Sequence, residues 1–577
     1  MSVDFTLKIG GEAGQGMQTI GYVLSKTFAR GGFHLFANQD YMSRIRGGHN
    51  FFQIRVKEDP VYASSEEVDI LIALDKATVE THSLEIKEKG VIIFDGEHID
   101  ISGQPPHLLN VPLERLAREE GGNKLFSNSV AVGGALGILA YQFDILGQVL
   151  KEVFSKRGEE IVENNIKAAR AGYDFIQKNY KDFCLSPLKS GRSDKKMLIS
   201  GNESLSLGAM AAGCKFISAY PMTPSTGIIT YLAGKAKQYG LVAEQAEDEI
   251  AAINMAVGAS FAGVRAMVAT SGGGFSLMVE ALGLAGMTET PLVIIEAQRP
   301  GPSTGLPTRT AQADLEFVLH ASQGEFPRAI FAPATAEDAF WSVVKAFNVA
   351  EKYQVPVIIM SDQHLADSYL TCKKFDLSKV KIERGIISDA ELAKIKDYKR
   401  HRFTQSGISP RALPSQEGRI VITDSDEHDE EGHLTEDLEI ANKMAQKRLK
   451  KREGLASEIE PPKIYPHEDA QIILIGWGST YGALREALDV LINQGMDVSL
   501  MHFQEIWPFP AQFVSSILSK VKKSFCVENN ATGQLAHIIR AETGKQVTAK
   551  ILKFDGRPFS PQYIIRKLKK RGKTWSL

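Results

Sequence analysis

The chain has 577 residues, room for roughly three or four domains. Its 43% hydrophobic and 24% charged content is that of an ordinary soluble globular protein, and a formal net charge of −2 argues against a general nucleic-acid or membrane-surface binder. Cys184, Cys214, Cys372 and Cys526 form no C-x-x-C pair, which excludes a disulfide framework and a clustered four-cysteine iron–sulfur site and fits a reducing cytoplasm.

Residues 1–180 read as one α/β domain. The first residues run at once into a glycine loop, so no secretory signal is expected. A short strand over 5–9 leads into Gly10-Gly11-Glu12-Ala13-Gly14-Gln15-Gly16 and then a helix, a turn able to present backbone N–H groups to an anion. Its spacing is neither G-x-G-x-x-G nor a P-loop. Arg44 and Arg46, beside Gly47 and Gly48, suit either a phosphate or carboxylate contact or a structural interdomain loop. The longest apolar run, residues 130–143, is shorter than the ~20 residues of a bilayer span and reads as a buried helix.

Residues 181–195, with Pro187 and Gly191, read as a linker. A second α/β domain follows, with strands expected over 196–200, 216–219, 266–269, 292–296 and 355–360. Short β-branched runs separated by helical stretches indicate a parallel sheet with ligands at the carboxyl ends of its strands. Three loops fall at those ends. In Tyr220-Pro221-Met222-Thr223-Pro224-Ser225-Thr226 two prolines stiffen a turn rich in hydroxyls. Thr270-Ser271-Gly272-Gly273-Gly274 reads as a second loop. The third, QRPGPSTGLPTRTAQADL, holds Arg299, suited to bidentate carboxylate recognition or to pairing with an acid in its own loop, and Thr308. Glu249 precedes Ala251, Ala252, Ala256 and Gly258. At the mouth of a small-residue helix its carboxylate is poorly solvated and suited to share a proton; the bland alternative places it with Glu244 and Glu247 on a solvated face.

Residues 375–465 are charged, with few apolar periods. His428 and His433 in the acidic run 424–433 read as part of a solvated loop rather than a metal site, and the basic runs 447–452 and 567–571 as solvated helix faces or tails. From 466 onward α/β character returns: strands over 471–475, 498–503 and 524–527, a helix over 481–494, and Glu528-Asn529-Asn530 after the last strand.

The Tyr220–Thr226 turn, with Glu249 followed by Ala256-Val257-Gly258-Ala259, resembles the pyrimidine-binding domain of thiamine-diphosphate enzymes, specifically the α subunit of 2-oxoacid:ferredoxin oxidoreductases. GGEAGQG with YMSRIRGG resembles the family's γ domain, here fused ahead of the α domain. Residues 375–465 resemble its connecting arm, and the last 110 or so a transketolase-type C-terminal domain. The resemblance covers essentially the whole chain and implies three α/β domains: a γ-type domain (1–180), a pyrimidine-binding domain (196–374) and, after the arm (375–465), a transketolase C-terminal-like domain (466–577). Many relatives carry Thr-Ser-Gly-Pro-Gly where this chain has residues 270–274, which puts that loop's rigidity in question.

The resemblance also implies roles. Glu249 binds N1′ of the aminopyrimidine, with Tyr220, Pro221, Thr223, Ser271 and Gly272 around the cofactor. Arg299 and Thr223 take the 2-oxoacid carboxylate, and Thr308 lies near the 2-oxo group and coenzyme A. No Gly-Asp-Gly occurs for the diphosphate and Mg²⁺, so a β subunit is expected to carry that half-site and a [4Fe–4S] cluster in a cytoplasmic (αβ)₂ assembly, with no metal on this chain. The implied reaction is CoA-dependent oxidative decarboxylation of a 2-oxoacid with electrons passed to ferredoxin; 2-oxoglutarate is favoured because that branch often has a fused γ–α chain. A non-oxidative thiamine enzyme subunit and a catalytically idle structural subunit are the alternatives.

Overall fold

The computed structural model describes residues 3–43, 47–101, 107–184, 188 and 196–574, with side chains to 570. Arg44, Arg46, Pro187, Gly191 and the side chain of Arg571 lie outside them. The chain forms two compact units, residues 1–199 with 368–374 and 560–577, and residues 200–367 with 375–559.

The first unit is built on an eight-stranded sheet in the order Leu108–Asn110, Ile86–Phe94, Val68–Ala73, Asp4–Glu12, His49–Lys57, His34–Asp40, Tyr369–Cys372, Met197–Ser200. Its first four strands are parallel and the next pairings antiparallel. The first strand extends through Gly10 and Gly11, residues expected in a turn. Their missing side chains are a packing need: a Cβ at Gly10 would meet the Thr78 side chain, and one at Gly11 the side-chain oxygen of Gln15. The run 130–143 is buried as expected but broken. One helix covers Ser127–Ile138, Ala140 takes a positive φ of 44°, and the next helix begins at Phe143. Gly133 and Gly172 let the helices Ser127–Ile138 and Glu159–Asn179 touch backbone to backbone. The C-terminal helix Pro561–Thr574 and the strand Tyr369–Cys372 belong to this unit, not to the linear domains in which their sequence positions put them.

The second unit holds two sheets. The larger runs Glu505–Trp507, Ala329–Phe331, Pro356–Asp362, Leu292–Gln298, Ala266–Thr270, Phe216–Ala219, Val242–Gln245. It is parallel except at Glu505–Trp507. Both central strands are buried along their whole length, as a sheet covered on two faces requires. The smaller sheet orders Lys463–Tyr465, Val498–Phe503, Ile472–Trp477, Lys523–Glu528, Ala549–Leu552. The chain leaves it after Phe503 and adds Glu505–Trp507 to the edge of the larger one, so both share one apolar core.

The arm is not the loosely solvated segment its composition suggests. It contains a 21-residue helix, Leu438–Glu458, on which Lys447, Arg448 and Lys451 are buried, correcting the expected solvated face. Lys447 and Lys451, one turn apart, both reach the buried carboxylate of Glu289. His401 Nδ1 lies 3.0 Å from the same carboxylate. A second buried carboxylate, Glu351, accepts from Arg265, Arg384 and Arg411 at 2.8–3.2 Å. His428 is buried too, its ring 4.1 Å from that of His401, whereas His433 is exposed; the solvated-loop expectation holds only for the latter. Among the described residues no group of three or more His, Cys, Asp or Glu is placed to hold a metal ion, and no helix is long and apolar enough to cross a membrane.

Candidate active site

Three segments meet at the carboxyl edge of the larger sheet. After Phe216–Ala219 the turn closes on itself: the Ser225 backbone N–H and hydroxyl donate to Met222 O at 2.9 and 2.7 Å, and Asn202 Nδ2 donates to Pro224 O at 2.9 Å. The Ser225 hydroxyl thus builds the turn and is not offered to a ligand. Thr226 opens the helix Thr226–Tyr239. Tyr220 is exposed, and Pro221 and Thr223 are half-buried.

Glu249 is the first residue of the helix Glu249–Phe261, whose start is capped by Asp248 accepting from Ala251 N at 2.7 Å. It is 4% exposed, while Glu244 and Glu247 stand in solvent, so the three acids are not equivalent. Glu249 Oε1 is buried without a hydrogen-bond partner. Facing it is the segment expected to be a loop. Gly272, Gly273 and Gly274 are instead the first turn of the helix Gly272–Met287, fixed by Phe275 N donating to Ser271 O at 2.8 Å. Rigidity therefore does not depend on proline at this site, and the first helical turn is where proline is tolerated. Glycine is needed for close approach: a Cβ at Gly274 would lie 2.7 Å from Glu249 Oε1, and one at Gly272 would strike Asp314 Oδ2. Ser271, ahead of this helix, is fully buried with its hydroxyl unpartnered.

Arg299 follows the strand Leu292–Gln298. Its Nη1 donates to Thr223 O at 2.9 Å, tying the first and third loops, and its Nε is buried without a partner. Burial pulls the guanidinium pKa down, while the charges of Asp314 and Glu249 pull it up. Thr308 is buried in the same loop. Further along, Thr310 Oγ1 donates to Asp362 Oδ1 at 3.3 Å, and Gln312 is held by Trp477 O, by Asn529 and by Asn530 at 2.8–3.1 Å. Asn529 and Asn530 thus anchor the loop that follows Arg299. Glu528 accepts from Leu535 N and Ala536 N and so organises the start of the helix Gln534–Thr543.

Two residues absent from the sequence reading lie behind Arg299. Glu296, inside the apolar strand, is inaccessible, and both its oxygens lack a donor. Burial first, then the neighbouring acids Asp314 and Asp362, push its carboxyl well above the usual range. Burial raises Asp314 to about 6, with Arg299 pulling it back.

In the first unit, the turn at Gly14–Gly16 leads into the helix Met17–Arg30. Gln15 Oε1 accepts from Glu12 N at 2.7 Å, so a side chain of the turn already occupies one of the N–H groups expected to face an anion.

The family described as pyruvate flavodoxin/ferredoxin oxidoreductase, thiamine diphosphate-binding, matches residues 207–447. Pyruvate ferredoxin/flavodoxin oxidoreductase matches 6–175, and pyruvate:ferredoxin oxidoreductase core domain II matches 470–564. A 2-oxoacid:ferredoxin oxidoreductase subunit alpha from a Sulfolobus species is 34% identical, over 96% of this chain and 94% of its own. The chain belongs to this α-subunit family. The 2-oxoglutarate oxidoreductase subunit KorA of Mycobacterium tuberculosis, 29% identical over 93% of this chain and 87% of its own, is a further relative. Among solved structures, 2-oxoglutarate:ferredoxin oxidoreductase from Magnetococcus marinus, with 2-oxoglutarate, coenzyme A and succinyl-CoA bound, matches with a TM-score of 0.90 and 31% identity, covering 98% of this chain and 99% of that one. Family membership and the fold of this relative agree with the α/β architecture expected, including the γ-type segment ahead of the α-type one.

Proposed function

We propose that the chain is the fused γ–α subunit of a CoA-dependent 2-oxoacid:ferredoxin oxidoreductase that oxidatively decarboxylates 2-oxoglutarate. The observation that carries this reading is the buried, unpartnered Oε1 of Glu249 at a helix start, within reach of a glycine-built helix and one loop away from Arg299. A buried carboxyl lacking a partner is the group that fits a ring nitrogen of the aminopyrimidine. Thiamine diphosphate, when bound, supplies the carbon nucleophile and electron sink for decarboxylation.

This chain's residues do the rest. Glu249 holds the proton shared with N1′, in surroundings that exclude water. Tyr220, Pro221 and Thr223 shape the wall beside it, with Ser271 and Gly272 opposite. Arg299, anchored by Thr223 O, keeps Nε for the substrate carboxylate, and Thr308 orients the 2-oxo oxygen or the coenzyme A thiol. The diphosphate, Mg²⁺ and the [4Fe–4S] cluster are assigned to a β subunit in an (αβ)₂ assembly, ferredoxin being the acceptor. The names of the relatives in M. tuberculosis and M. marinus support 2-oxoglutarate as substrate.

The test is Glu249→Gln in the complex purified with its partner. Thiamine diphosphate and iron stoichiometry and 2-oxoacid-dependent ferredoxin reduction are measured together. Loss of about 10²-fold or more in kcat with iron content unchanged is expected. Full activity of the variant would leave the chain as a structural subunit, and an iron-free complex would point to a non-oxidative thiamine enzyme.

A further inference from the structure

Among the described residues five arginines are buried: Arg265, Arg328, Arg400, Arg411 and Arg448. Four of them are satisfied within the chain. Arg265 and Arg411 pair with Glu351, and Arg448 pairs with Glu427 through both of its terminal nitrogens. Arg400 donates to Gln354 Oε1 and to the carbonyls of Thr288 and Glu289 at 2.8–3.4 Å. Arg328, 6% exposed, has no carboxylate partner among the described residues. One of its N–H groups donates to Val318 O at 3.0 Å, and its guanidinium carbon lies 4.4 Å from the centre of the Phe326 ring. Capping that carbonyl, in the helix Leu315–His320, occupies a single donor of a planar fork. A buried charge left without a counter-charge costs stability, so an unpaired guanidinium in a native fold calls for an explanation.

Arg328 lines a cavity of about 500 Å³ together with Arg452 of the arm helix. Arg452 is exposed, makes no ion pair among the described residues, and lies 5.9 Å from the centre of the Trp507 ring. Acids border the same cavity without pairing with either arginine. Glu316 Oε1 lies 3.2 Å from His537 Nδ1, and Glu325 and Glu542 stand in solvent. We propose that this cavity binds a small oxyanion, a carboxylate or phosphate group on a soluble molecule, taken by Arg328 with Arg452 as the second cation. Phe326 and Trp507 give the rest of such a ligand two rings to lie against, and the volume is that of a small-molecule site. Neither Glu249 nor Arg299 lines the cavity, so it is separate from the candidate active site. Arg328 precedes the strand Ala329–Phe331 and Arg452 sits on the arm helix, so an anion held by both fastens the arm to the larger sheet.

The test uses the complex purified with its partner subunit and saturated with thiamine diphosphate. Inorganic phosphate and succinate are offered separately in equilibrium dialysis at constant ionic strength. Saturable uptake of at least one is expected, weakened about tenfold or more by Arg328→Gln and about threefold by Arg452→Gln. Arg328→Lys, which keeps the charge and loses the fork, should fall between the parent and Arg328→Gln. Uptake of either probe with this dependence supports the site, and the probe that binds names the ligand class. Uptake that survives Arg328→Gln undiminished, or that is lost in Arg299→Ala instead, places the anion elsewhere and overturns the proposal. So does the absence of saturable uptake by the parent complex, the result expected if an acid of the partner subunit already fills the cavity. If Arg328→Gln does not assemble, the exposed Arg452 decides, and uptake unchanged in Arg452→Gln overturns the proposal.

Discussion

Glu289 and Glu296 stand close together in the chain and are equally inaccessible to solvent, yet their surroundings are opposite. Glu289 is met by Lys447, Lys451 and His401, all from the arm, and these hold its carboxylate well below the usual range despite complete burial. Glu296 is met by Asp314 and Asp362, which push its carboxyl the other way. The first arrangement satisfies a buried charge and fastens one segment to another. The second leaves a charge frustrated at the edge of a sheet where loops converge, beside a cation with an unpartnered donor. Frustration of that kind persists only where the surrounding fold enforces it, and it clusters at working sites, in keeping with the function proposed for this edge of the sheet.

The comparison breaks most readily at Glu289. Glu289→Ala leaves two ammonium groups buried without an anion, and about 3–5 kcal/mol of stability should be lost. The arm helix Leu438–Glu458 should loosen first, visible as faster amide exchange around Lys447 and Lys451 together with a lowered melting midpoint of the complex. An unchanged midpoint would mean that the lysines find other partners and that the cluster fastens nothing.

Titration sharpens the contrast, because the two acids contribute opposite slopes. The folded pKa of Glu289 lies well below 4.5, so its contribution to stability is complete above that value and is lost as pH falls through the folded value. The folded pKa of Asp314 is raised from 3.8 to about 6, so between those values the folded chain holds a proton that the unfolded chain releases. Its contribution to stability therefore declines as pH rises across that window and is constant above it, where the decline due to the raised Glu296 continues. Asp314→Asn should make the decline across that window shallower while leaving the acid limb from Glu289 intact. Melting midpoints of the two complexes across the window check this; parallel curves would deny Asp314 its raised pKa.

How much of this was legible in the sequence depended on how local the cause was. The strands Phe216–Ala219 and Val498–Phe503 were read to the residue, because β-branched apolar runs between helical stretches state their own burial. Glu505–Trp507 escaped, since three residues have no period to read. The two basic runs look alike in the sequence and end differently. Lys567, Lys569 and Lys570 are exposed, while Lys447 and Lys451 are buried by an acid some 158 residues away, a partner no local pattern announces. Glu249, Thr223 and Arg299 were singled out from their motifs; the structure ties the Thr223 and Arg299 loops together and puts Glu249 at a helix start. Asp314 and Glu296 were passed over because an acid at the end of an apolar strand gives no sign of what it will face. The three glycines at 272–274 were taken for a loop; the reason for Gly272 and Gly274 is tertiary, the closeness of Asp314 and Glu249 respectively.

The smallest effect is the most discriminating. Ser271 is as buried as any core residue, yet its hydroxyl lacks a partner and it does not cap the helix it precedes. Were it structural, that hydroxyl would be a pure cost, and Ser271→Ala should leave the melting midpoint unchanged or raise it, a shift within about 0.5 kcal/mol. Were it kept to donate to the cofactor, the same change should raise the half-saturating concentration of thiamine diphosphate by about three- to tenfold, one hydrogen bond's worth. The reading given to this edge of the sheet requires both results together: no stability lost and affinity reduced. A drop in stability with affinity untouched would place Ser271 with Glu289, among the groups that hold the fold, and would draw the boundary of the site inside Gly272.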